Sequence, residues 1–216
     1  MKPLVIIGIG GHGREALDIV SAINDERPTY DVLGFFDDAV APGTTAEPHD
    51  LEVLGPVSKA AEMDVDYIIA IGVPAIRRSI ASNLPIERAA SIIHPRASIG
   101  SHVSHGPGLI VAAGAVITHA VTLGDHVHVN VGATISHDSN VGHFVTVTPG
   151  AHIGGAVDLE DEVWMGIGSS AIQGVTIGAR TTVGAGAAII GDVPSDVTVV
   201  GVPGRVVKDH RGRSAR

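Results

Sequence analysis

The sequence feature that most constrains the fold is a six-residue repeat, which runs without interruption from residue 93 to residue 194. Counted by six from Ile93, the repeat gives seventeen positions, and fifteen of them hold Ile, Val, Leu or Met; only His105 and Ala171 depart from this rule. An α-helix requires a period of 3.6 residues, and a half-buried strand requires a period of two. A period of six over this length is typical of hexapeptide repeats, so the pattern predicts a left-handed parallel β-helix.

The repeat also predicts how the coils stack. Three hexads make one triangular coil of 18 residues, so residues 18 apart should lie above one another at about the strand spacing of 4.8 Å. The aliphatic residue of each hexad should point inwards from a flat side, and small residues should occupy the corners. The segment SDVTVVGVPGRVVK follows the last hexad. We expect it to form a final strand and a Pro-Gly turn that cap the β-helix, as terminal repeats must.

The first part of the chain has a different rhythm. Three strands and three helical segments are predicted to alternate, with strands at 3–9, 32–36 and 67–71 and helices at 14–24, 59–63 and 74–83. This order predicts a small Rossmann-like parallel sheet with helices on its faces. We therefore expect two domains, an α/β domain over residues 1–91 and the β-helix with its cap over residues 92–216.

Composition excludes several classes of function. The formal net charge of −9 and the pI of about 5.6 argue against a surface for nucleic acid or an anionic membrane. The chain has no cysteine, which excludes disulfides, thiolate metal sites and a cysteine nucleophile. No apolar run reaches the roughly 18 residues needed to span a membrane, and the opening MKPLVIIGIGG is typical of a first strand rather than a signal peptide. We expect a soluble cytoplasmic protein. The few basic residues that cluster are at the end of the chain: Arg205, Lys208, Arg211, Arg213 and Arg216.

A glycine-rich loop follows the first predicted strand. The segment Gly8-Ile-Gly10-Gly11-His12-Gly13 satisfies the GxGxxG pattern, and Asp37 ends the next strand 24 residues later. Taken alone, this pattern indicates an NAD-dependent enzyme. However, the domain has only about 90 residues and three clear strands, half of a full dinucleotide-binding fold. The same backbone N–H groups and helix N-terminus serve the diphosphate of a nucleotide sugar equally well.

Together, the hexads, the opening IIGIGGHGREALDIV, the pair His137-Asp138 in a middle coil and the ending GVPGRVVK resemble bacterial hexapeptide-repeat sugar acetyltransferases. The resemblance covers nearly the whole chain and is strongest to the branch that N-acetylates nucleotide-linked amino sugars, with sialic-acid O-acetyltransferases as relatives. It implies acetyl-CoA as co-substrate, no metal, and a nucleotide-linked amino sugar, such as a 4-amino-4,6-dideoxy sugar, as acceptor. It also implies a homotrimer with active sites between subunits.

The resemblance identifies His137 as the general base and Asp138 as the acid that raises its basicity. Acetyl transfer from a thioester requires a group that removes a proton as the new bond forms, and histidine titrates near neutral pH. A neighbouring carboxylate fixes the tautomer of the imidazole and stabilises the imidazolium. Because no cysteine is available, we expect direct attack rather than an acyl-enzyme. Asn130 matches a family position that contacts the reacting groups, where it would donate to the thioester oxygen.

The family's binding residues also carry over by position. The residues implied to hold the nucleotide sugar are Gly10, Gly11, His12, Asp37, Asp38 and Gly72. Those implied to contact acetyl-CoA are Thr146, Gly155, Ile167 and Ala185, with Arg205 and Lys208 available to the phosphates. The family often has a histidine where this chain has Thr146.

Three other functions remain open from the sequence. O-acetylation of a sialic acid or another sugar would use the same fold and base. A metalloenzyme resembling the γ-class carbonic anhydrases would need three histidines, with one pair about five residues apart, whereas His137 and His143 are six apart on different sides of the triangle. A scaffolding role without catalysis is the third. Stacking by 18 residues further predicts that His119 lies one coil below His137, and that Asp125 and His143 form a structural pair.

Overall fold

The structure, a computed structural model, describes residues 1–46 and 50–211. The chain divides into two compact units: the first contains Met1–Pro95 and Pro107–Ile110, and the second contains Arg96–Gly106 and Val111–Arg216. A domain boundary between residues 91 and 92 stays a prediction. Arg213 and Arg216 of the basic cluster lie outside the described residues. Within the described ranges, no helix is both long and apolar enough to cross a membrane.

The first unit contains a four-stranded parallel sheet in the order β3-β2-β1-β4. Its strands are β1 (Lys2–Ile7), β2 (Tyr30–Phe36), β3 (Val53–Gly55) and β4 (Asp66–Ile69). Its helices are α1 (Gly11–Glu26), a 3-10 helix (Val57–Glu62), α2 (Pro74–Ala81) and a short 3-10 turn (Ile86–Arg88). The predicted small parallel sheet is confirmed, but the prediction of three strands is wrong, because β3 is too short to show a periodic pattern.

Both faces of this sheet are covered, as a parallel sheet requires. Alternate residues of the strands point to opposite faces. On one face, Val5 and Ile7 belong to a buried cluster against which Ile80 and Leu84, from α2 and just after it, are packed. On the other face, α1 contacts β1 and β2. The carboxyl ends of the parallel strands, and the loops that follow them, therefore meet at one edge of the sheet.

The hexads form the predicted parallel β-helix. Seventeen strands of two residues each lie in three sheets, one for each flat side of the triangle. The first side has β7 (Ser104–His105), β10 (Thr122–Leu123), β13 (Asn140–Val141), β16 (Asp158–Leu159) and β19 (Thr176–Ile177). The second has β5 (Ile92–Ile93), β8 (Ile110–Val111), β11 (His128–Val129), β14 (Thr146–Val147), β17 (Trp164–Met165) and β20 (Thr182–Val183). The third has β6 (Ser98–Ile99), β9 (Val116–Ile117), β12 (Thr134–Ile135), β15 (His152–Ile153), β18 (Ser170–Ala171) and β21 (Ala188–Ile189).

The interior follows the hexad pattern. Each strand pairs with the strand 18 residues away, as in Ile135 opposite Ile153, and the predicted inward positions from Val111 to Ile189 are buried. Ile99 and His105 are exceptions to the prediction, because both are exposed. They lie on β6 and β7, the terminal strands of their sheets, where no earlier coil covers them.

The corners of the triangle have left-handed backbone. One corner carries glycine in this conformation at 114, 132, 150, 168 and 186. A second corner carries non-glycine residues, among them Asp138 with a φ of 59°. Aspartate and asparagine tolerate this region better than other L-residues do. The sequence His137-Asp138 therefore fits a corner, and the turn presents both side chains at the surface.

The end of the β-helix is closed by a hairpin. β22 (Val197–Val200) pairs in parallel with β20, and β23 (Arg205–Asp209) returns antiparallel to β22. The turn spans residues 201–204, where Pro203 and Gly204 lie. The predicted final strand and turn are present, and β23 is an additional strand that the sequence pattern did not reveal.

Candidate active site

The imidazole of His137 is held by the residue next to it. Its Nδ1 lies 2.8 Å from Oδ2 of Asp138, and both side chains are exposed. An ionised carboxylate can only accept a hydrogen bond, so Nδ1 is the protonated nitrogen and Nε2 carries the lone pair. This is the tautomer that a general base requires.

The other side of the ring lies against Gly155 in the next coil. A Cβ at residue 155 would lie 2.6 Å from Cε1 and 2.8 Å from Nε2 of His137. Atoms do not approach so closely, so only glycine leaves room for the ring in this position. Gly155 is one of the residues implied to contact acetyl-CoA, and the structure brings it directly to the basic nitrogen.

His119 lies in the same column of stacked residues as His137. The backbone N–H of Asp138 donates to the carbonyl of His119 at 3.1 Å, as expected for equivalent positions in consecutive coils. Nδ1 of His119 lies 2.9 Å from the hydroxyl of Ser101, one coil earlier. The ring of His102 stands edge-on to that of His119, with 5.1 Å between centroids. The predicted stacking is therefore present, but no carboxylate is hydrogen-bonded to the His119 ring in the way that Asp138 is to His137.

Asn130 does not lie beside His137 in the same chain. It ends β11 immediately before one corner, whereas His137 lies at the next corner, so a whole flat side separates them. One N–H of the Asn130 amide donates to the carbonyl of Val147 at 3.2 Å. Within one subunit the two residues cannot contact the same acetyl group.

The remaining cofactor positions lie in different environments. Ile167 and Ala185 are exposed at the glycine corner, one coil apart. The side chain of Thr146 is buried, with 1% exposure, and does not reach the surface of the described structure. Arg205 and Lys208 are exposed on β23, where Arg205 donates to the carbonyl of Gly204 at 2.8 Å. The cofactor contacts of these residues stay predictions.

Part of the basic C-terminal cluster is already neutralised. The guanidinium of Arg211 donates to both oxygens of Asp209. Hydrogen bonds from Arg211 lower the pKa of Asp209 to about 2. Arg211 is therefore paired within the chain, and Arg205 and Lys208 remain the basic residues of β23 that face solvent.

The glycine loop of the first unit begins α1 and leaves space above it. A Cβ at Gly10 or Gly11 would meet nothing within 4 Å, whereas a Cβ at Gly13 would lie 1.8 Å from the carbonyl oxygen of Gly8. Gly13 is thus required for close packing of the helix on the strand, and Gly10 and Gly11 leave the helix N-terminus open. α1 has neither a side-chain cap nor an acidic residue in its first turn. An open N-terminus of this kind suits an anion such as a diphosphate.

His12 and the two aspartates stand around this loop. Nδ1 of His12 lies 3.0 Å from Oε2 of Glu15. The carboxylate of Asp37 accepts hydrogen bonds from the backbone N–H groups of Ile9, at 3.0 Å, and Ala39, at 2.8 Å. Asp38 accepts one from the N–H of Val57 at 2.8 Å. Asp37 therefore braces the glycine loop, a structural contribution that the sequence did not reveal.

Gly72 follows β4 at the same edge of the sheet. The guanidinium of Arg77, whose side chain is fully buried, donates to the carbonyls of Ile71 at 2.7 Å and of Gly72 at 2.9 Å. Arg77 thus holds the loop in which Gly72 lies. Sequence reasoning missed it, because an arginine in an amphipathic helix is ordinarily solvated.

The structural pair of Asp125 and His143 is present one coil apart. Nδ1 of His143 lies 3.1 Å from Oδ2 of Asp125 and 3.0 Å from its backbone nitrogen. His143 in turn donates its backbone N–H to Asp161. In the described ranges, no group of three or more His, Asp or Glu residues is arranged to hold a metal ion.

Comparison with known proteins decides the family. Residues 3–84 match the family described as the PglD N-terminal domain. GDP-perosamine N-acetyltransferase of Escherichia coli O157:H7 is 30% identical to this chain over 153 residues, which are 69% of each protein. The chain belongs to the nucleotide-linked amino-sugar N-acetyltransferases. Another such enzyme, UDP-N-acetylbacillosamine N-acetyltransferase of Bacillus subtilis, is 32% identical over 120 residues, 52% of each protein.

Solved structures of N-acetyltransferases share the whole fold. The acetyltransferase domain of PglB from Neisseria gonorrhoeae, in complex with acetyl coenzyme A, superposes with a TM-score of 0.84 at 32% identity and covers 95% of this chain and 99% of that one. A histidine variant of GDP-perosamine N-acetyltransferase from Caulobacter crescentus, in complex with CoA and GDP-perosamine, gives 0.83 at 27% identity, covering 97% and 98%. The predicted fold and acetyltransferase activity are therefore confirmed, and the family is not one of carbonic anhydrases.

Proposed function

We propose that this N-acetyltransferase transfers the acetyl group of acetyl-CoA directly to the amine of a nucleotide-linked 4-amino-4,6-dideoxy sugar, with His137 as general base. The observation that carries the proposal is the orientation of His137, whose Nδ1 is bound by Asp138 at 2.8 Å while its Nε2 edge lies against Gly155. The relatives that bind CoA together with a nucleotide-linked amino sugar support this choice of substrates.

The chemistry follows from this orientation. The neutral amine nitrogen attacks the thioester carbon, and Nε2 of His137 accepts the proton that the nitrogen loses as the C–N bond forms. Asp138 stabilises the imidazolium that results. When the C–S bond breaks, His137 returns the proton to the sulfur of CoA. The products are an amide and free CoA, and His137 ends the cycle neutral.

We further propose that the active protein is a homotrimer. Val131 and Ile167, at the glycine corner, are 53% and 62% exposed. Ile172 and Ile190, on the adjoining side, are 45% and 55% exposed. Such a contiguous apolar surface favours contact with another subunit. In a trimer, the corner that carries His137 in one subunit would meet the Asn130 side of its neighbour. Asn130 would then reach the acetyl group from the partner subunit and donate to the developing oxyanion.

The first unit would supply the acceptor sugar. Its open helix N-terminus at Gly10 and Gly11 suits the diphosphate, with His12 beside it. Asp37, Asp38 and Gly72 lie on the loops at the same edge of the sheet. We also propose a cytoplasmic location, because acetyl-CoA and nucleotide sugars are both made and consumed in that compartment.

The proposal is tested by measuring thiol release from acetyl-CoA with a panel of nucleotide-linked 4-amino sugars. Free sialic acid serves as the hydroxyl control. Turnover with a nucleotide-linked amino sugar, and none with the hydroxyl acceptor, is the expected result. Activity confined to the hydroxyl acceptor would contradict the proposal and favour a sugar O-acetyltransferase.

A further inference from the structure

A groove in the first unit lies beside Asp38 and belongs to none of the residues considered so far. Its volume is about 360 Å³, and it runs between the 3-10 helix Val57–Glu62 and α2. Ala61, Ile80 and Leu84 form its apolar walls. Asp38, Ser58, Ser79 and Asn83 supply its polar groups. A volume of this size lies within the range of small-molecule sites, which combine apolar walls with a few polar groups.

The groove is connected to the glycine loop through hydrogen bonds. Asp37 accepts from the N–H of Ile9, in the loop before α1. The next residue, Asp38, accepts from the N–H of Val57, where the 3-10 helix along the groove begins. The helix N-terminus, the two aspartates and the groove are therefore consecutive along one edge of the sheet.

A nucleotide sugar has its own groups in the same order: sugar, diphosphate, ribose and base. With the diphosphate at the N-terminus of α1, the ribose falls beside the aspartates, and the base falls in the groove. A carboxylate at the end of the second strand is the usual acceptor for ribose hydroxyls in related α/β folds. One oxygen of Asp38 is used by Val57, and a carboxylate has a second oxygen for a hydroxyl donor.

The polar groups of the groove suit the edge of a base. Nδ2 of Asn83 donates to the carbonyl of Ser79 at 2.9 Å, which orients the amide and leaves Oδ1 as an acceptor. Bases offer ring or amino N–H donors to such an oxygen, and their faces stack on apolar walls.

We infer that this groove binds the nucleoside of the nucleotide sugar, with Asp38 on the ribose and Asn83 reading the base. The inference rests on the proposed function. It assigns selection of the nucleotide to residues of α2 and the segment that follows it, away from the acetyl-transfer chemistry at His137.

Direct binding of GDP, UDP, dTDP and ADP to the full chain, measured by calorimetry, tests the inference without requiring activity. Ser79→Phe fills the groove from an exposed position of α2 and should weaken binding of the preferred nucleotide at least tenfold. Ile76→Phe is the matched control, because Ile76 is an exposed residue of the same helix outside the groove. It should leave binding unchanged, and acetyl-CoA binding should be unchanged in both variants.

Asn83→Ala adds a test of base reading, and it should reduce the difference in affinity between the four nucleotides. If wild type binds a nucleotide and Ser79→Phe binds it equally well, the groove is not the nucleoside site and the proposed function stands. If wild type binds none of the four nucleotides, the nucleotide-sugar proposal itself fails. Equal weakening by Ile76→Phe would also contradict the inference, because the effect would then not belong to the groove.

Discussion

Gly155 and His137 lie in consecutive coils at the same corner column, and the imidazole ring occupies the space that a side chain at residue 155 would need. In Gly155→Ala, the methyl group must displace the ring, because a side chain moves more easily than the backbone of the stacked coils. We expect kcat to fall about 100-fold, the scale of a misplacement of roughly 1 Å at a reacting group. Thermal stability should change little.

Gly191→Ala is the control for this substitution, since a Cβ there would meet nothing within 4 Å and its backbone is not left-handed. Its kcat should equal that of wild type. Full activity in Gly155→Ala would mean that the position of the ring is not important for catalysis.

Asp138→Asn tests the contribution of the carboxylate. Asparagine tolerates the left-handed backbone at this position, with a φ of 59° in Asp138, so the corner should keep its structure. The imidazolium loses its counter-charge, and we expect kcat to fall less than in a variant without His137. The acidic limb of the pH–rate profile should move to lower pH. A profile identical to that of wild type would contradict the proposed effect of Asp138.

The glycines of the first loop should separate stability from binding. Gly13→Ala places a methyl group against the Gly8 carbonyl and should lower the free energy of unfolding by about 1–3 kcal/mol, the cost of overpacking. Gly11→Ala has open space and a helical position where alanine is favoured. It should therefore keep its Tm but weaken nucleotide-sugar binding. The opposite pattern, in thermal melts and binding titrations, would refute this division.

The ion pair between Arg180 and Asp196 gives a prediction about pH and stability. Arg180 donates two hydrogen bonds of 2.6 Å to Asp196 and holds the pKa of that carboxyl below its usual value. A lowered folded pKa means that the stabilisation is complete above the unfolded value of about 3.9 and is lost as pH falls through the folded value. Asp196→Asn should lower the free energy of unfolding at pH 7 by at most about 1 kcal/mol.

Denaturant melts of wild type and Asp196→Asn between pH 2 and pH 7 check this expectation. The two curves should converge at the acidic end. Asp31→Asn, which changes an exposed carboxylate on β2, should match wild type at pH 7. A difference between Asp196→Asn and wild type that persists at every pH would show that the ion pair is not its source.

The β-helix could be predicted from the sequence because its rule is local. Every six residues an aliphatic side chain is buried, and every 18 residues a neighbour is stacked, so counting alone places His119 under His137 and Asp125 under His143. The rule fails at Ile99 and His105, because the sequence does not indicate which strands lack a covering coil.

The parts that could not be predicted depend on contacts between distant residues or on short elements. β3 has three residues and shows no period. The burial of Arg77 depends on two carbonyls in the preceding loop. The contact of Gly155 with His137 depends on the direction of an imidazole ring, which sequence spacing does not give. The groove beside Asp38 depends on how a 3-10 helix lies beside α2.

Replacement of His137 gives the most direct test of the central claim. Acetylated product should be identified by mass spectrometry for nucleotides that carry either a 4-amino or a 4-hydroxy sugar, with wild type, His137→Ala and His119→Ala. We predict that wild type acetylates only the amine, that His137→Ala lowers kcat by about 10²–10⁴ while still binding acetyl-CoA, and that His119→Ala loses far less. A fall of less than tenfold in His137→Ala, or acetylation of the hydroxyl sugar instead of the amine, would contradict the account.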